Sequence, residues 1–131
     1  MKTISKILFL FISLSVLFFS CTKSPSKLIV SGTWAVSLYM HDGKVETSDF
    51  DFYIFDFKKD KTLVVTLPSG ALSIGSWNYD DAISKYRISI SGTDKLDKIN
   101  EDWIVIATSS TNIELRDDDS SKNELLSFRQ R

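Results

Sequence analysis

From Gly32 onward, apolar and polar residues alternate with a period of two in short runs, and turn residues break the runs every few positions. Successive side chains of an extended chain point to opposite faces, so this period predicts half-buried β-strands. No window of about 11 residues carries the spacing of an amphipathic helix. The first predicted strand covers residues 33–40, with Trp34, Val36, Leu38 and Met40 on one face and Thr33, Ser37 and Tyr39 on the other. Asp42-Gly43 follows it and is a strong turn dipeptide. The second strand, residues 51–58, is aromatic on both faces: Phe52 and Ile54 look one way, Tyr53, Phe55 and Phe57 the other. Both of its faces therefore need a cover.

Beyond the charged turn Lys58-Lys59-Asp60-Lys61, residues 62–67 set Leu63, Val65 and Leu67 against Thr62, Val64 and Thr66. Pro68-Ser69-Gly70 turns the chain into a fourth strand, residues 71–79, where Gly75 marks a bulge or bend and the inward face changes phase from Ile74 to Trp77. The fifth strand, residues 85–91, turns Tyr86, Ile88 and Ile90 inward. Residues 92–102 form the longest internal connection, with Thr93 or Asp94 placed to cap one helical turn. Strands over 102–109, 112–117 and 125–130 bring the predicted count to eight. The expected class is all-β, an eight-stranded antiparallel up-and-down barrel, whose closure removes exposed edges. A β-sandwich is the alternative, because period-two patterning does not separate two packed sheets from one rolled sheet.

Ahead of this domain stands a different pattern. Lys2 and Lys6 begin the chain, and residues 7–19 are Ile, Leu, Phe and Val broken only by Ser13 and Ser15. That order is the order of a secretory signal peptide, and the apolar run is well short of the roughly 20 residues of a spanning helix. The sole cysteine, Cys21, follows directly. Phe18-Phe19-Ser20-Cys21 resembles a bacterial lipobox: Ser20 and Cys21 fit it, whereas Phe18 and Phe19 depart from it. An exported thiol with no disulfide partner in the chain agrees with lipidation of Cys21. The expected division is a signal peptide over 1–20, a lipidated cysteine with a flexible tether over 21–31, and the barrel over 32–131. The membrane, through the lipid on Cys21, is the expected partner. The resemblance implies a cell-envelope, outer-membrane lipoprotein, since Thr22 is not the Asp that resembles an inner-membrane retention signal. Without an acidic cluster after Cys21, it is expected to face the periplasm.

Charge narrows the functional classes. Removing residues 1–20 takes away Lys2 and Lys6 and no acid, leaving 14 basic and 17 acidic side chains and a net charge of −3. An acidic domain without a Lys/Arg stripe does not suit nucleic acid.

Gly32-Thr33-Trp34 at the start of the first strand, Asp42-Gly43, Thr47-Ser48-Asp49-Phe50, Gly75-Ser76-Trp77, Asp102-Trp103 and Ile113-Glu114-Leu115 together resemble the short lipocalin-like lipoproteins of Bacteroidetes. The resemblance spans about Gly32 to Arg129. It implies a calycin-type barrel in which Trp34 closes one end under an arginine from late in the chain, Arg129 or Arg116. Two departures from full-length lipocalins, no Thr-Asp-Tyr motif and no C-terminal helix, argue against a large open calyx.

The stripe Val36, Leu38, Ile54, Val65, Ile74, Ile88 and Val105 reads either as a closed core or as the wall of a small apolar pocket. In a pocket, Tyr39, Tyr86 or Ser76 would orient the ligand. His41 is the only histidine and sits in a turn, so no catalytic residue, metal site or cofactor is expected. Asp117-Asp118-Asp119 lacks the spacing of a calcium loop and reads as a solvated hairpin tip. Asp49, Asp51 and Asp56 read as loop and surface carboxylates rather than a glycosidase pair. Two functions follow as expectations: an anchored barrel binding a small apolar or amphipathic ligand, or a tethered protein-interaction or structural module showing aromatics such as Tyr39, Tyr53, Phe55 or Trp77. An enzyme is not expected.

Overall fold

The computed structural model describes residues 23–131, so the signal-peptide and Cys21 expectations lie outside the described residues. A short helix α1 (Pro25–Leu28) precedes strands β1 (Thr33–His41) and β2 (Lys44–Val45). A 3-10 helix (Thr47–Phe50) leads to β3 (Ile54–Phe57), β4 (Thr62–Thr66), β5 (Leu72–Asp80) and β6 (Lys85–Ser89). Helix α2 (Asp94–Asp97) is followed by β7 (Asp102–Thr108), β8 (Asn112–Asp117) and β9 (Leu125–Gln130). The strands form one antiparallel sheet in the order β2-β1-β3-β4-β5-β6-β7-β8-β9, and β1 also pairs with β9. Eight strands thus close on themselves, Trp34 lying opposite Gln130 and Met40 opposite Leu125 at the seam. Strand β2 is an extra two-residue ribbon folded back by the Asp42-Gly43 turn, where both residues take positive φ, 50° and 75°.

The first strand departs from strict alternation. Its register against β9 shifts between Val36 and Leu38, which makes Ser37 the extra residue of a β-bulge. The bulge inverts parity, so Trp34 and Tyr39 are both buried while Leu38, opposite Ser127, turns outward. Gly75, by contrast, brings no change of phase. Ile74 faces solvent throughout, and Gly75 sits where β5 presses on β6: a Cβ there would overlap the Ser89 carbonyl oxygen and the Ile90 backbone.

The chain also folds earlier than its polar start implies. Ser24 and Pro25 begin α1, with the missing N–H of proline harmless in the first turn, and Leu28 and Ile29 are fully buried. The tether expected over residues 21–31 therefore ends by Pro25. Thr93 caps α2 by accepting the Leu96 N–H at 3.1 Å, and Leu96 and Ile99 are buried behind it. The two helices lie at opposite ends of the barrel, α1 at the lower end where β1 begins and α2 at the upper end where β1 finishes. Residues 25–131 thus contain every strand and both end pieces of one complete core.

Candidate functional site

The barrel interior is filled. Among the described residues, Trp34, Phe55, Phe57, Leu63, Val65, Trp77, Tyr86, Ile88, Trp103, Ile113, Leu115, Leu126 and Phe128 are each at most 3 % exposed, so these side chains pack against one another. Edge-to-face aromatic contacts knit the centre, with Phe128 against Phe55 at 5.2 Å and against Phe57 at 5.6 Å. Each tryptophan N–H is satisfied by a backbone carbonyl. At the lower end the Trp34 indole donates to Ile29 O at 2.8 Å, and Tyr86 Oη donates to Pro25 O at 2.5 Å. At the upper end Trp103 donates to Ile99 O at 3.0 Å.

The predicted pocket wall divides accordingly. Val65 and Ile88 are core, and Val36 and Val105 pack against it from the rim. Leu38, Ile54 and Ile74 point outward, Leu38 because of the bulge and the other two because Phe55 and Gly75 hold the inward parity of their strands. Of the polar groups expected in a pocket, Tyr86 fastens α1, Ser76 is exposed, and the buried ring of Tyr39 packs on Phe50 at 5.2 Å. Burial and the nearby Glu124 carboxylate raise the Tyr39 phenol to about 12. The arginine cover over Trp34 is also corrected. Arg129 lies opposite Ala35 with its side chain exposed, Arg116 donates to Asp117 O at 3.1 Å, and the Trp34 N–H is held instead by the backbone oxygen of the buried Ile29. Gly32 serves a different purpose: a Cβ there would sit 2.6 Å from the Gln130 amide nitrogen, which donates to Ser31 Oγ. Tyr39, Tyr53, Phe55 and Trp77, expected as a surface patch in the interaction reading, are all buried.

Three features remain on the outside of this core. The first is an acid cluster at the upper end. Glu124 and Asp117 are buried, each with one carboxylate oxygen lacking a hydrogen-bond partner, and His41 Nδ1 lies 2.5 Å from Glu124 Oε1. Burial raises the Glu124 carboxyl above its ordinary value, the His41 contact opposes the shift, and the Asp117 carboxyl adds to it. A raised carboxyl contributes stability on the acid side, and that contribution is lost as pH rises through the folded-state value. Glu124→Gln should therefore stabilise the protein at about pH 8 and lose this advantage towards about pH 4, as read by urea denaturation at both. Nearby, Lys98 Nζ bridges Asp49 at 2.7 Å and Glu46 at 3.0 Å, and its hydrogen bond holds the Asp49 carboxyl below its ordinary value. Asp56 pairs with Lys58 at 2.6 Å, and the Asp119 carboxylate accepts from the Ser121 N–H and hydroxyl within its own turn.

The second feature is a groove of about 540 Å³ beneath the lower end, lined by Lys23, Ser26, Lys27, Val30, Lys59, Lys61 and Trp77, among others. Lys61 Nζ stands 4.3 Å from the Trp77 ring centroid.

The third feature is an apolar strip on the outer face of β3, β4 and β5. Register aligns Ile54, Thr66 and Leu72 in one row and Asp56, Val64 and Ile74 in the next. Leu72 and Ile74 are 61 % and 67 % exposed, and Phe52, two residues before Ile54, is 83 % exposed. Phe52 also has φ 67°, the third position of a turn closed by the Tyr53 N–H on Phe50 O at 3.2 Å. That position favours glycine, and a bulky side chain there costs about 1–2 kcal/mol. The outer face of the second predicted strand was expected to be covered; Ile54 there is half-buried, whereas Phe52 stands exposed.

No family model and no curated protein sequence matches the chain. Solved structures match by fold. A DUF4847 family protein from Bacteroides vulgatus superposes with a TM-score of 0.62 at 16 % identity, covering 82 % of this chain and 98 % of that one. A lipocalin-like protein from Bacteroides uniformis gives 0.57 at 17 % identity over 79 % and 99 %, and an uncharacterised protein from Bacteroides eggerthii gives 0.52 at 16 % over 76 % and 98 %. The closed eight-stranded barrel and these neighbours make the domain a lipocalin-like barrel, the class read from Gly32-Thr33-Trp34 and its companion motifs.

Proposed function

We propose that this is an outer-membrane lipoprotein, anchored through Cys21 and facing the periplasm, whose barrel binds a protein partner with its outer surface. It acts by binding and not by catalysis, and it is not a container for an apolar ligand. The observation that carries this reading is the uncovered strip around Phe52 on a barrel whose interior is full. Exposed apolar side chains grouped on one face of a domain and rimmed by polar residues, as Phe52, Leu72 and Ile74 are here beside Thr66 and Asp56, mark interaction sites. Backbone strain at an exposed aromatic points the same way, because strain of this size persists where the side chain it presents is used. Aromatic anchors also dominate the binding energy of protein interfaces. Among the described residues the buried side chains of the interior leave little room for a lipocalin-like ligand site, since a drug-sized ligand needs a cavity of about 300 Å³ or more.

The test places a photo-activated cross-linker at residue 52 of the full-length protein in its native envelope, with the same group at Asn78 as a control on the outward face of β5. A discrete cross-linked species from position 52, absent from position 78 and abolished by Leu72→Glu, is the expected result. Equal, diffuse labelling from both positions would overturn the reading. Phe52→Gly is expected to be at least as stable as the parent, because it relieves the left-handed strain, while weakening the cross-linked complex at least about tenfold.

A further inference from the structure

We propose that the lysine groove beneath the barrel seats the phosphate headgroups of anionic lipids and docks the domain on the bilayer surface. The identity of that bilayer as the one carrying the anchor rests on the lipidation of Cys21; the binding itself does not. The charge of the groove is unneutralised. Four lysines, at positions 23, 27, 59 and 61, line the groove, and among the described residues no carboxylate lies within 4.0 Å of any of their ammonium groups. The two nearest acids in the sequence are otherwise engaged: Asp56 pairs with Lys58 at 2.6 Å, and Asp60 accepts the Thr62 N–H at 2.9 Å. Domain charge runs the other way, since residues 21–131 carry more acids than bases. A local basic site on a net acidic domain orients the domain towards an anionic surface, lower end first.

The groove's chemistry fits a headgroup and the first methylenes below it. Its lysines and the Ser26 hydroxyl offer donors to phosphate oxygens, while Val30 and Trp77 give apolar wall. Lys61 is held over the Trp77 ring, so one donor is positioned in advance. Place agrees with chemistry. Lys23 is two residues from Cys21, at most about 7 Å of extended chain, so an anchored domain has this groove at the membrane surface. The same strands β3 and β4 carry Lys59 and Lys61 at their lower turn and the rows leading to Phe52 and Leu72 at the other end. A docked barrel therefore holds its apolar strip away from the bilayer, where a partner reaches it.

The experiment uses residues 23–131, which contain the complete core and no anchor. Co-sedimentation is measured with vesicles of about 30 % phosphatidylglycerol in phosphatidylethanolamine and with vesicles of phosphatidylcholine alone. Binding to the anionic vesicles and not to the neutral ones is expected, with a loss of about thirtyfold in Lys27→Ala/Lys59→Ala. Lys44→Ala/Lys95→Ala removes the same charge from exposed sites at the upper end and should bind the vesicles as the parent does. A third arm adds inorganic phosphate against chloride at equal ionic strength. No extra displacement is expected, because several headgroups in a plane outcompete a single free anion; selective displacement by phosphate would reassign the groove to a soluble phosphorylated compound. Equal binding to both vesicle types, or an unchanged Lys27→Ala/Lys59→Ala variant, would overturn the proposal. Failure of the anchor is read separately, as an unmodified Cys21 in the mass of the envelope-derived chain.

Discussion

Trp34→Ala should destabilise the domain by about 3–5 kcal/mol, a large part of the roughly 5–15 kcal/mol available to a domain of this size. Trp34 is fully buried at the lower end of the barrel, and three losses coincide when its ring is removed. Its apolar area is no longer buried, a cavity opens that strands paired on both sides are poorly able to close, and Ile29 O loses the donor that satisfies it at 2.8 Å. The lower cap then loses the Trp34 bond and keeps Tyr86 on Pro25 O, so it should loosen before the barrel unfolds. Trp34→Phe separates the terms: it keeps most of the area and loses the N–H, and should cost about 1–3 kcal/mol. Arg129→Ala is the complementary control. An arginine covering the indole would make it costly, whereas the exposed Arg129 should change stability by no more than about 0.5 kcal/mol. Urea denaturation of the three variants decides among these outcomes.

Gly75→Ala is expected to be the most damaging substitution of its size, costing at least about 3 kcal/mol, at the top of the overpacking range. A single methyl on the inward face of β5 would meet the Ser89 carbonyl oxygen and the Ile90 Cα, and backbone atoms have no rotamer with which to retreat. Strands β5 and β6 would have to separate where they pair at Ser76 and Ser89. Gly70→Ala provides the contrast. Its Cβ would meet nothing within 4 Å, so only the left-handed backbone at φ 87° opposes it, and about 1 kcal/mol is expected. Thermal or chemical unfolding of the pair distinguishes close strand approach from conformational preference as the reason for each glycine.

Much of the fold was legible because most strands obey strict alternation. Strands β8 and β9 fall on residues 112–117 and 125–130 as the pattern predicts, since Ile113 and Leu115, then Leu126 and Phe128, alternate with polar neighbours without interruption. The Thr93 cap was legible for the same kind of reason: a hydroxyl stands three residues before an apolar one, in a connection long enough to hold a turn. The bulge at Ser37 was not. A bulge inverts the parity of everything beyond it, yet Ser37 is as ordinary in a plain strand as in a bulged one, so Leu38 was placed inside and Tyr39 outside. The lower cap was hidden by its neighbours. Leu28-Ile29-Val30 is an apolar run, but the polar residues 22–27 before it read as tether.

The candidate surfaces were legible in part. Strand parity puts Asp117 with Ile113 and Leu115, and Glu124 with Leu126 and Phe128, so both buried acids were open to detection as charged residues at inward positions. The requirement that something cover both faces of the second strand is legible in Phe52 and Ile54 on one face and Tyr53, Phe55 and Phe57 on the other, and the fold meets it fully on the second face and only at Ile54 on the first. The lysine groove was unreadable, because Lys23 stands just before α1 and Lys27 within it while Lys59 and Lys61 come from the β3–β4 turn, and only the closed barrel brings the two segments together. The covering role that the resemblance implies for Arg129 is not met by this chain, where Arg129 is exposed and the Trp34 N–H is held by Ile29 O.

On the proposed reading, this lipocalin-like barrel works with its outer surface because its interior is occupied by its own side chains. Native mass spectrometry of residues 23–131 before and after organic extraction, followed by titration with a fluorescent fatty acid, tests it most directly. The bare polypeptide mass in both spectra and no saturable uptake of the fatty acid are expected. A small apolar molecule that travels with the domain, is removed by extraction and is replaced by the probe at one per chain would contradict it.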